Sequence, residues 1–296
     1  MKFITRLFIK FKKYLKLSNK SIPSVSIETG KNGIFCGFKN DYLFQEAVKD
    51  GIHEPHFVEI VNNLLSPTDI ALDVGGNIGT HAILLSKKLS KGKVYTFESQ
   101  ALVFSILQNN LLLNSCSNVI SYRFAILDKD HETLSMEPFS FNGKIINNGG
   151  LKVDLNKALG DFTLTRTLDS FEFSKVDFIK MDIQGSEVKA LRGAKKILLS
   201  QRPILFIEIE EQCLRALNSS TKELIETLFS LKYGLYRIEN HYPCDYICIP
   251  IEKSKTFEDD ILNKLSFPIS KKIFGKTAIV TFDKETDQIY SDLKVF

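Results

Sequence analysis

The chain has 296 residues and a net charge of +4; 44% of its residues are hydrophobic and 25% are charged. These values are ordinary for a folded protein and exclude global disorder, and the length is sufficient for one α/β domain with appendages. The five cysteines are scattered and form no Cys-x-x-Cys pair. We therefore expect reduced thiols in a cytoplasmic protein rather than a disulfide framework.

The positive charge is concentrated at the N-terminus. Residues 1–20 carry seven basic and no acidic side chains, whereas the rest of the chain carries 32 basic and 35 acidic ones. Apolar residues recur at helical spacing in residues 2–17, which predicts a basic amphipathic helix. Such a helix can make peripheral contact with an anionic membrane or pack on the folded domain, and both alternatives stay open. Residues 21–68 form a predicted N-terminal extension with helices at 41–50 and 55–65.

The next segment is the most informative one. A predicted strand at 69–74 reaches Asp73 and leads through a glycine-rich turn into a predicted helix at 80–90. In parallel α/β sheets, ligands bind at the carboxyl ends of the strands, and the free N–H groups of such a helix face the same place. The sequence therefore predicts a nucleoside-binding loop, whose candidate residues are Asp73, Gly75, Gly76, Asn77 and Gly79.

The loop also indicates which nucleoside binds. The dinucleotide fingerprint G-x-G-x-x-G requires a glycine at position 74, where this chain has Val74. Asp73 would repel a pyrophosphate, whereas S-adenosylmethionine has no phosphate and offers an ammonium, a sulfonium and a ribose diol. We therefore expect S-adenosylmethionine as the cofactor. An NAD-type oxidoreductase on the same kind of fold stays open as an alternative.

A second predicted strand, 93–98, ends in Glu98. An acidic residue at this distance from the glycine loop is expected on the ribose hydroxyls, because a carboxylate accepts hydrogen bonds from both groups of a diol. Ser99, directly after it, and Ala125, near the end of a predicted strand at 118–126, complete the candidate cofactor-binding set.

The remaining pattern alternates between strands and helices. This alternation predicts a doubly wound, mostly parallel α/β sheet over residues 69–252, with an antiparallel hairpin at its edge. Residues 128–165 read as an insertion of short strands and loops. The C-terminal extension, 253–296, is expected to contain a helix near 257–265 and a strand near 276–282. The further predicted elements are a helix at 101–114, a strand at 176–183, a helix at 186–200, a strand at 203–210, a helix at 220–232 and hairpin strands near 234–239 and 244–251.

Three side chains are candidates for catalysis. Asp182 follows a core strand and is our first candidate for a general base or a substrate anchor; pairing with Lys180 or capping the next helix is the structural alternative. Glu208 can meet Asp182 from the neighbouring strand end. His81 begins the helix after the glycine loop and has a pKa suited to proton transfer. A divalent metal ion bound by Asp182 and Glu208 stays open as an alternative, but no His-rich ligand set supports it, so no metal ligands are assigned.

Two blocks of sequence resemble the FkbM-type family of S-adenosylmethionine-dependent methyltransferases. They are the DVGGNIG loop and the segment KMDIQGSE-x₃-LRGA, within a resemblance that covers roughly residues 55–240. The resemblance implies a class I methyltransferase fold, which is Rossmann-like, and O-methylation of a sugar, a glycan or a related natural product. One position departs from the family pattern, because Gln184 stands where the family usually has Glu. This change removes a charge and puts an acid–base role at position 184 in doubt.

Other classes of function stay open on the sequence alone. A protein that binds the cofactor without catalysis would keep the same fold. A nucleic-acid methyltransferase would be expected to carry a basic face near its site, whereas residues 21–296 are slightly acidic. We therefore expect a small-molecule or glycan acceptor and no nucleic-acid partner.

Overall fold

The computed structural model of the protein describes residues 24–51, 54–136, 161–238, 245–266 and 269–273. The helix predicted at residues 1–20 and the strand predicted at 276–282 lie outside these ranges. The helices predicted at 41–50 and 55–65 are confirmed. The extension before them also contains a β-hairpin that the sequence analysis did not predict.

The described part of the chain alternates between strands and helices, as predicted. The strands are β1 (Val25–Gly30), β2 (Gly33–Phe38), β3 (Ile70–Val74), β4 (Lys93–Phe97), β5 (Val119–Tyr122), β6 (Ala125–Ile126), β7 (Thr133–Met136), β8 (Asp161–Arg166), β9 (Phe178–Met181), β10 (Ile204–Glu208), β11 (Tyr233–Ile238), β12 (Asp245–Pro250) and β13 (Ile269–Ile273). The α-helices are α1 (Tyr42–Lys49), α2 (Pro55–Leu64), α3 (Thr80–Lys88), α4 (Ala101–Leu113), α5 (Glu187–Gly193), α6 (Lys195–Ser200), α7 (Glu211–Ala216), α8 (Thr221–Ser230) and α9 (Ser254–Asp260).

Eight strands form the central sheet, in the order β13-β11-β12-β10-β9-β3-β4-β5. Strands β10, β9, β3, β4 and β5 run parallel, while β12 pairs antiparallel with β10 and with β11. The predicted mostly parallel sheet with an antiparallel edge hairpin is therefore confirmed. Because successive strands proceed from β3 to β4 in one direction and from β9 to β10 in the other, a crevice opens between β3 and β9 at their carboxyl ends.

Two predicted elements differ in detail. The strand predicted at 118–126 is divided: β5 stays in the central sheet, and β6 joins β7 and β8 in a small sheet of the insertion. The bend lies at Arg123, whose guanidinium pairs with the carboxylate of Asp161 at 2.6 Å. The helix predicted at 186–200 is interrupted at Ala194. The carboxylate of Asp169 accepts hydrogen bonds from the N–H groups of Lys196 and Ile197, and these bonds cap the second piece as a new helix.

Apolar side chains cover both faces of the sheet. One face packs against helices α5, α6 and α8, and the other packs against α2, where the Phe57 ring meets that of Phe206 edge to face at 5.0 Å. In the C-terminal extension the predicted helix is present as α9, and the unpredicted strand β13 pairs antiparallel with β11. Within the described ranges, no helix combines the length and apolar character needed to cross a bilayer.

Candidate active site

A cleft of about 670 Å³, counted to its open mouth, lies at the carboxyl ends of β3, β4 and β9. This is the crevice that the strand order predicts. One wall carries polar groups from the turns after these strands, and the opposite wall is apolar. The residues that line it include Gly75, Asn77, Glu98, Ser99, Gln100, Val103, Ala125, Ile126, Leu134, Met136, Asp182 and Gln184.

The glycine loop brings its backbone against the end of β9. Gly75 has a φ of +89°, and a Cβ atom at this position would overlap the carbonyl oxygen of Asp182. Gly79 has a φ of +93° and is the residue from which α3 begins. Gly75 therefore combines a left-handed conformation with a backbone approach that leaves no room for a Cβ, whereas at Gly79 only the backbone conformation favours glycine.

Glu98 has the position expected of a diol-binding residue. Its carboxylate is buried, lines the cleft, and accepts hydrogen bonds from the backbone N–H groups of Asn77 at 3.0 Å and Gln100 at 2.8 Å. Burial raises the pKa of Glu98, although these two N–H donors oppose the rise. A carboxylate accepts about four hydrogen bonds, so acceptor capacity remains for hydroxyl groups. Ser99 and Ala125 line the same cleft.

Asp73 lies behind the glycine loop. It is fully buried, and its Oδ2 accepts a hydrogen bond from Oγ1 of Thr96 at 2.9 Å. Its Oδ1 lies 3.7 Å from Nζ of Lys180. Gly76 and Gly79 are likewise outside the lining; a Cβ at Gly76 would overlap Oγ1 of Thr96. Asp73, Gly76 and Gly79 therefore support the loop from outside the cleft, whereas Gly75, Asn77 and Glu98 line the cleft.

Lys180 connects the loop to the end of β9. Its buried ammonium donates a hydrogen bond to the carbonyl oxygen of Gly75 at 2.8 Å and lies 3.5 Å from Oδ2 of Asp182. Burial by itself would lower the pKa of Lys180, but the carboxylates of Asp182, Asp73 and Glu54 raise it above its ordinary value. Lys180 is therefore a permanent cation that compensates the acidic groups around it.

Asp182 and Glu208 meet through the side chain of Gln184. The Nε2 group of Gln184 donates to Oδ1 of Asp182 and to Oε2 of Glu208, both at 3.0 Å. Asp182 is 27% exposed and faces the cleft, whereas Glu208 is outside the lining. Burial and the neighbouring charge of Asp182 raise the pKa of Glu208 to about 11, so that Glu208 is protonated at neutral pH. The sequence predicted that these acids meet but not that an amide joins them.

Glu187 holds the turn that carries Gln184. Its Oε1 accepts hydrogen bonds from the N–H groups of Ile183 at 3.1 Å and Gly185 at 3.2 Å. Burial raises the pKa of Glu187 to about 7; the backbone donors act against this shift, and the charge of Asp182 adds to it. Gln184 itself has a φ of +53°, so the turn is tightly constrained.

His81 is buried outside the cleft lining. Its Nε2 lies 3.2 Å from Oε2 of Glu54, and its ring packs edge to face on Phe57 at 4.5 Å. Glu54 belongs to a cluster that the sequence analysis missed, together with His56 and Asp245. Glu54 and His56 are two positions apart, but Asp245 lies far along the chain and completes the cluster only through the fold, so no local signal indicated the set.

This fold and cleft define a class I methyltransferase architecture: a parallel sheet with an antiparallel β12 inserted beside β10, and a glycine loop at the switch point. The model of the Methyltransferase FkbM domain matches residues 73–237, which is more than half of the chain. The chain therefore belongs to the FkbM methyltransferase domain family, as the sequence resemblance predicted.

Individual relatives match in part. Hexuronic acid methyltransferase AglP of Haloferax volcanii is 28% identical over 155 residues, which are 52% of this chain. The chain spans 61% of the length of that relative. The crystal structure of Methyltransferase FkbM from Methylobacillus flagellatus is 20% identical, with a TM-score of 0.45, over 62% of this chain and 44% of that one. Fibrillarin of Aeropyrum pernix, crystallised with S-adenosyl-L-methionine, is 13% identical, with a TM-score of 0.40, over 78% and 85% of the two chains.

Proposed function

We propose that the protein is an S-adenosylmethionine-dependent O-methyltransferase that acts on a hydroxyl group of a sugar, a glycan or a related natural product. The observation that supports this most directly is the position of Asp182. Its carboxylate faces the same cleft as Glu98, at the end of the strand next to the glycine loop. A diol-binding acid and a second acid available for proton transfer therefore lie in one site.

The residues of the cleft fit this cofactor. Glu98 has acceptor capacity for the ribose diol, and Gly75 and Asn77 of the glycine loop line the same cleft. The apolar wall formed by Val103, Ile126 and Met136 suits an adenine ring. When bound, S-adenosylmethionine supplies an electrophilic methyl group on a sulfonium.

Asp182 is the residue that takes the proton of the acceptor hydroxyl. Its Oδ2 lies 3.5 Å from the ammonium of Lys180, and Gln184 donates a hydrogen bond to its Oδ1, so both oxygens are held in place. Glu208 is protonated and does not compete as a base. A positioned carboxylate contributes roughly 10²–10⁴-fold to a reaction that needs proton removal. In-line alignment of the two reacting groups supplies most of the remaining rate increase.

The negative charge of Asp182 favours a neutral hydroxyl group over a carboxylate as the group that accepts the methyl. Asp182 is an acidic group that lines the cleft, and an acceptor carboxylate would meet it at the cost of like-charge repulsion. A hydroxyl also needs the base that the site provides, whereas a carboxylate is already ionised at neutral pH. The name of the AglP relative, a hexuronic acid methyltransferase, supports a sugar-derived acceptor; a hexuronic acid offers both hydroxyl groups and a carboxylate, so the panel below includes uronic acids.

The test combines binding with turnover. Calorimetry should detect S-adenosylmethionine binding and no NADH binding, and radiolabelled methyl transfer should identify acceptors in a panel of neutral and uronic-acid sugars. Asp182→Asn should reduce turnover by roughly 10²–10⁴-fold with unchanged cofactor affinity. The exposed Asp260→Asn serves as the matched control. Binding of NADH alone, or full turnover in Asp182→Asn, would contradict the proposal.

A further inference from the structure

A second group of polar side chains lies near the active site but outside the residues that line the cleft. It consists of Glu54, which precedes helix α2, His56 in the first turn of that helix, and Asp245 at the start of β12. One carboxylate oxygen from each acid and one imidazole nitrogen lie within 4.8 Å of one another. Nε2 of His56 lies 2.9 Å from Oδ2 of Asp245.

These distances are close to those of a mononuclear metal centre. Bonds of about 2.0–2.2 Å place two ligands of one ion at most about 4.4 Å apart, so small side-chain movements would bring all three atoms onto one ion. The side chains of His56 and Asp245 are only 9% and 5% exposed. Two carboxylates and one imidazole are a mixed oxygen and nitrogen set, which suits Mn²⁺ or Zn²⁺ better than Ca²⁺.

The surroundings hold two of the three side chains in place. His81 contacts Oε2 of Glu54 at 3.2 Å, in the position of the outer partner that commonly orients a ligating carboxylate. The ring of His56 packs near that of Phe206 at 5.9 Å. This gives His81 a positioning role outside the cleft, which is consistent with its absence from the cleft lining.

The cluster is also connected to Asp182 in the cleft through neighbouring side chains. Asp245 is the direct neighbour of Glu208 in the register of β10 and β12, and Gln184 connects Glu208 to Asp182. Three protein ligands leave coordination positions for water or for oxygen atoms of a substrate. In the strand order, an ion here would lie on the β12 side of Asp182, whereas Glu98 lies on the β4 side. Glu208 and Gln184 would separate the ion from Asp182.

We propose that Glu54, His56 and Asp245 bind one divalent transition-metal ion of the Mn²⁺ or Zn²⁺ type. The binding of the ion is independent of the proposed function. Its purpose rests on that function: the ion would hold oxygen atoms of a polyhydroxylated acceptor beside Asp182 and so select for sugars with neighbouring hydroxyls.

The test measures metal binding without cofactor or acceptor, so that its failure is distinct from a failure of the methyltransferase proposal. The full chain, treated with EDTA and dialysed, is titrated with ZnCl₂ against a chromophoric indicator and with MnCl₂ by electron paramagnetic resonance. We expect one equivalent to bind in the wild type. His56→Gln, Asp245→Asn and the milder Glu54→Gln should each weaken binding by at least about 10-fold.

Matched controls are the exposed His131→Gln and Asp260→Asn, which should bind like the wild type. Circular dichroism establishes that each variant is folded. The proposal is overturned if the wild type takes up neither metal stoichiometrically, a result that does not depend on any variant. It is also overturned if folded variants of the cluster bind as tightly as the controls.

Discussion

The buried carboxyl group of Glu187 should make the stability of the protein fall as the pH rises through neutrality. The ordinary pKa near 4.5 is raised to about 7 in the folded state, chiefly by burial. Between these two values the folded chain keeps a proton that the unfolded chain releases. Stability from this group is therefore fully present below about pH 4.5 and is lost as the pH rises towards 7.

The size of the effect follows from the shift. A difference of one pKa unit corresponds to about 1.36 kcal/mol, so the rise from 4.5 to about 7 corresponds to a loss of about 3 kcal/mol. Glu187→Gln removes the titration while keeping an oxygen that can accept from the N–H groups of Ile183 and Gly185. The free energy of unfolding of the variant minus that of the wild type should therefore rise by about 3 kcal/mol from pH 4.5 to pH 8.

Urea unfolding, followed by circular dichroism at several pH values, measures this difference. All other titrating groups are common to both proteins and largely cancel in the comparison. Glu226→Gln, on the exposed face of α8, is the matched control and should show no pH-dependent gain. A difference between Glu187→Gln and the wild type that stays constant from pH 4.5 to 8 would refute the reasoning, because burial would then not have raised the pKa of Glu187.

Three further changes test other parts of the site. Glu98→Ala should weaken S-adenosylmethionine binding by about 1.5–3 kcal/mol in calorimetry without unfolding the protein, and an unchanged affinity would remove Glu98 from the ribose site. Gln184→Glu replaces the amide that joins Asp182 and Glu208 by a third carboxyl group, so the variant should lose turnover and show an altered pH–rate profile; a profile identical to the wild type would show that the amide does not position the base. Deletion of residues 1–20 should abolish salt-sensitive pelleting with anionic liposomes, since each basic side chain near such a surface contributes about 1 kcal/mol. Equal pelleting of both proteins, or of neither, would assign the segment to packing on the domain.

Much of the fold was predictable because its signals are local. Apolar strands alternating with helical periods predicted the parallel sheet, and the hairpin strands β11 and β12 came from two short apolar runs near the end of the domain. The glycine loop was recognisable because Gly75 and Gly79 stand a few positions from the strand they follow. The position of Glu98 at the cleft could be predicted from its spacing, since one βαβ unit fixes the distance between successive strand ends.

Other features depended on which segments meet in space. The strand predicted at 118–126 divides because its second part, β6, pairs with β8 at the end of the insertion. Gln184 reads in the sequence as a lost charge, but in the structure it donates to two carboxyl groups at once. The protonation of Glu208 follows from burial next to Asp182, and no pattern within a single strand reports that environment.

The sequence by itself thus determined the architecture, the cofactor loop and the residue types at the strand ends. The tertiary structure alone decided how those residues are charged and which of them act together. His81 was placed correctly at the start of its helix but lies against Glu54 rather than in the cleft. Glu54, His56 and Asp245 form a cluster only after β12 is inserted beside β10. Periodicity and spacing encode local conformation, whereas proton affinity and ligand geometry depend on through-space distances and burial, which are set only when the whole sheet is assembled.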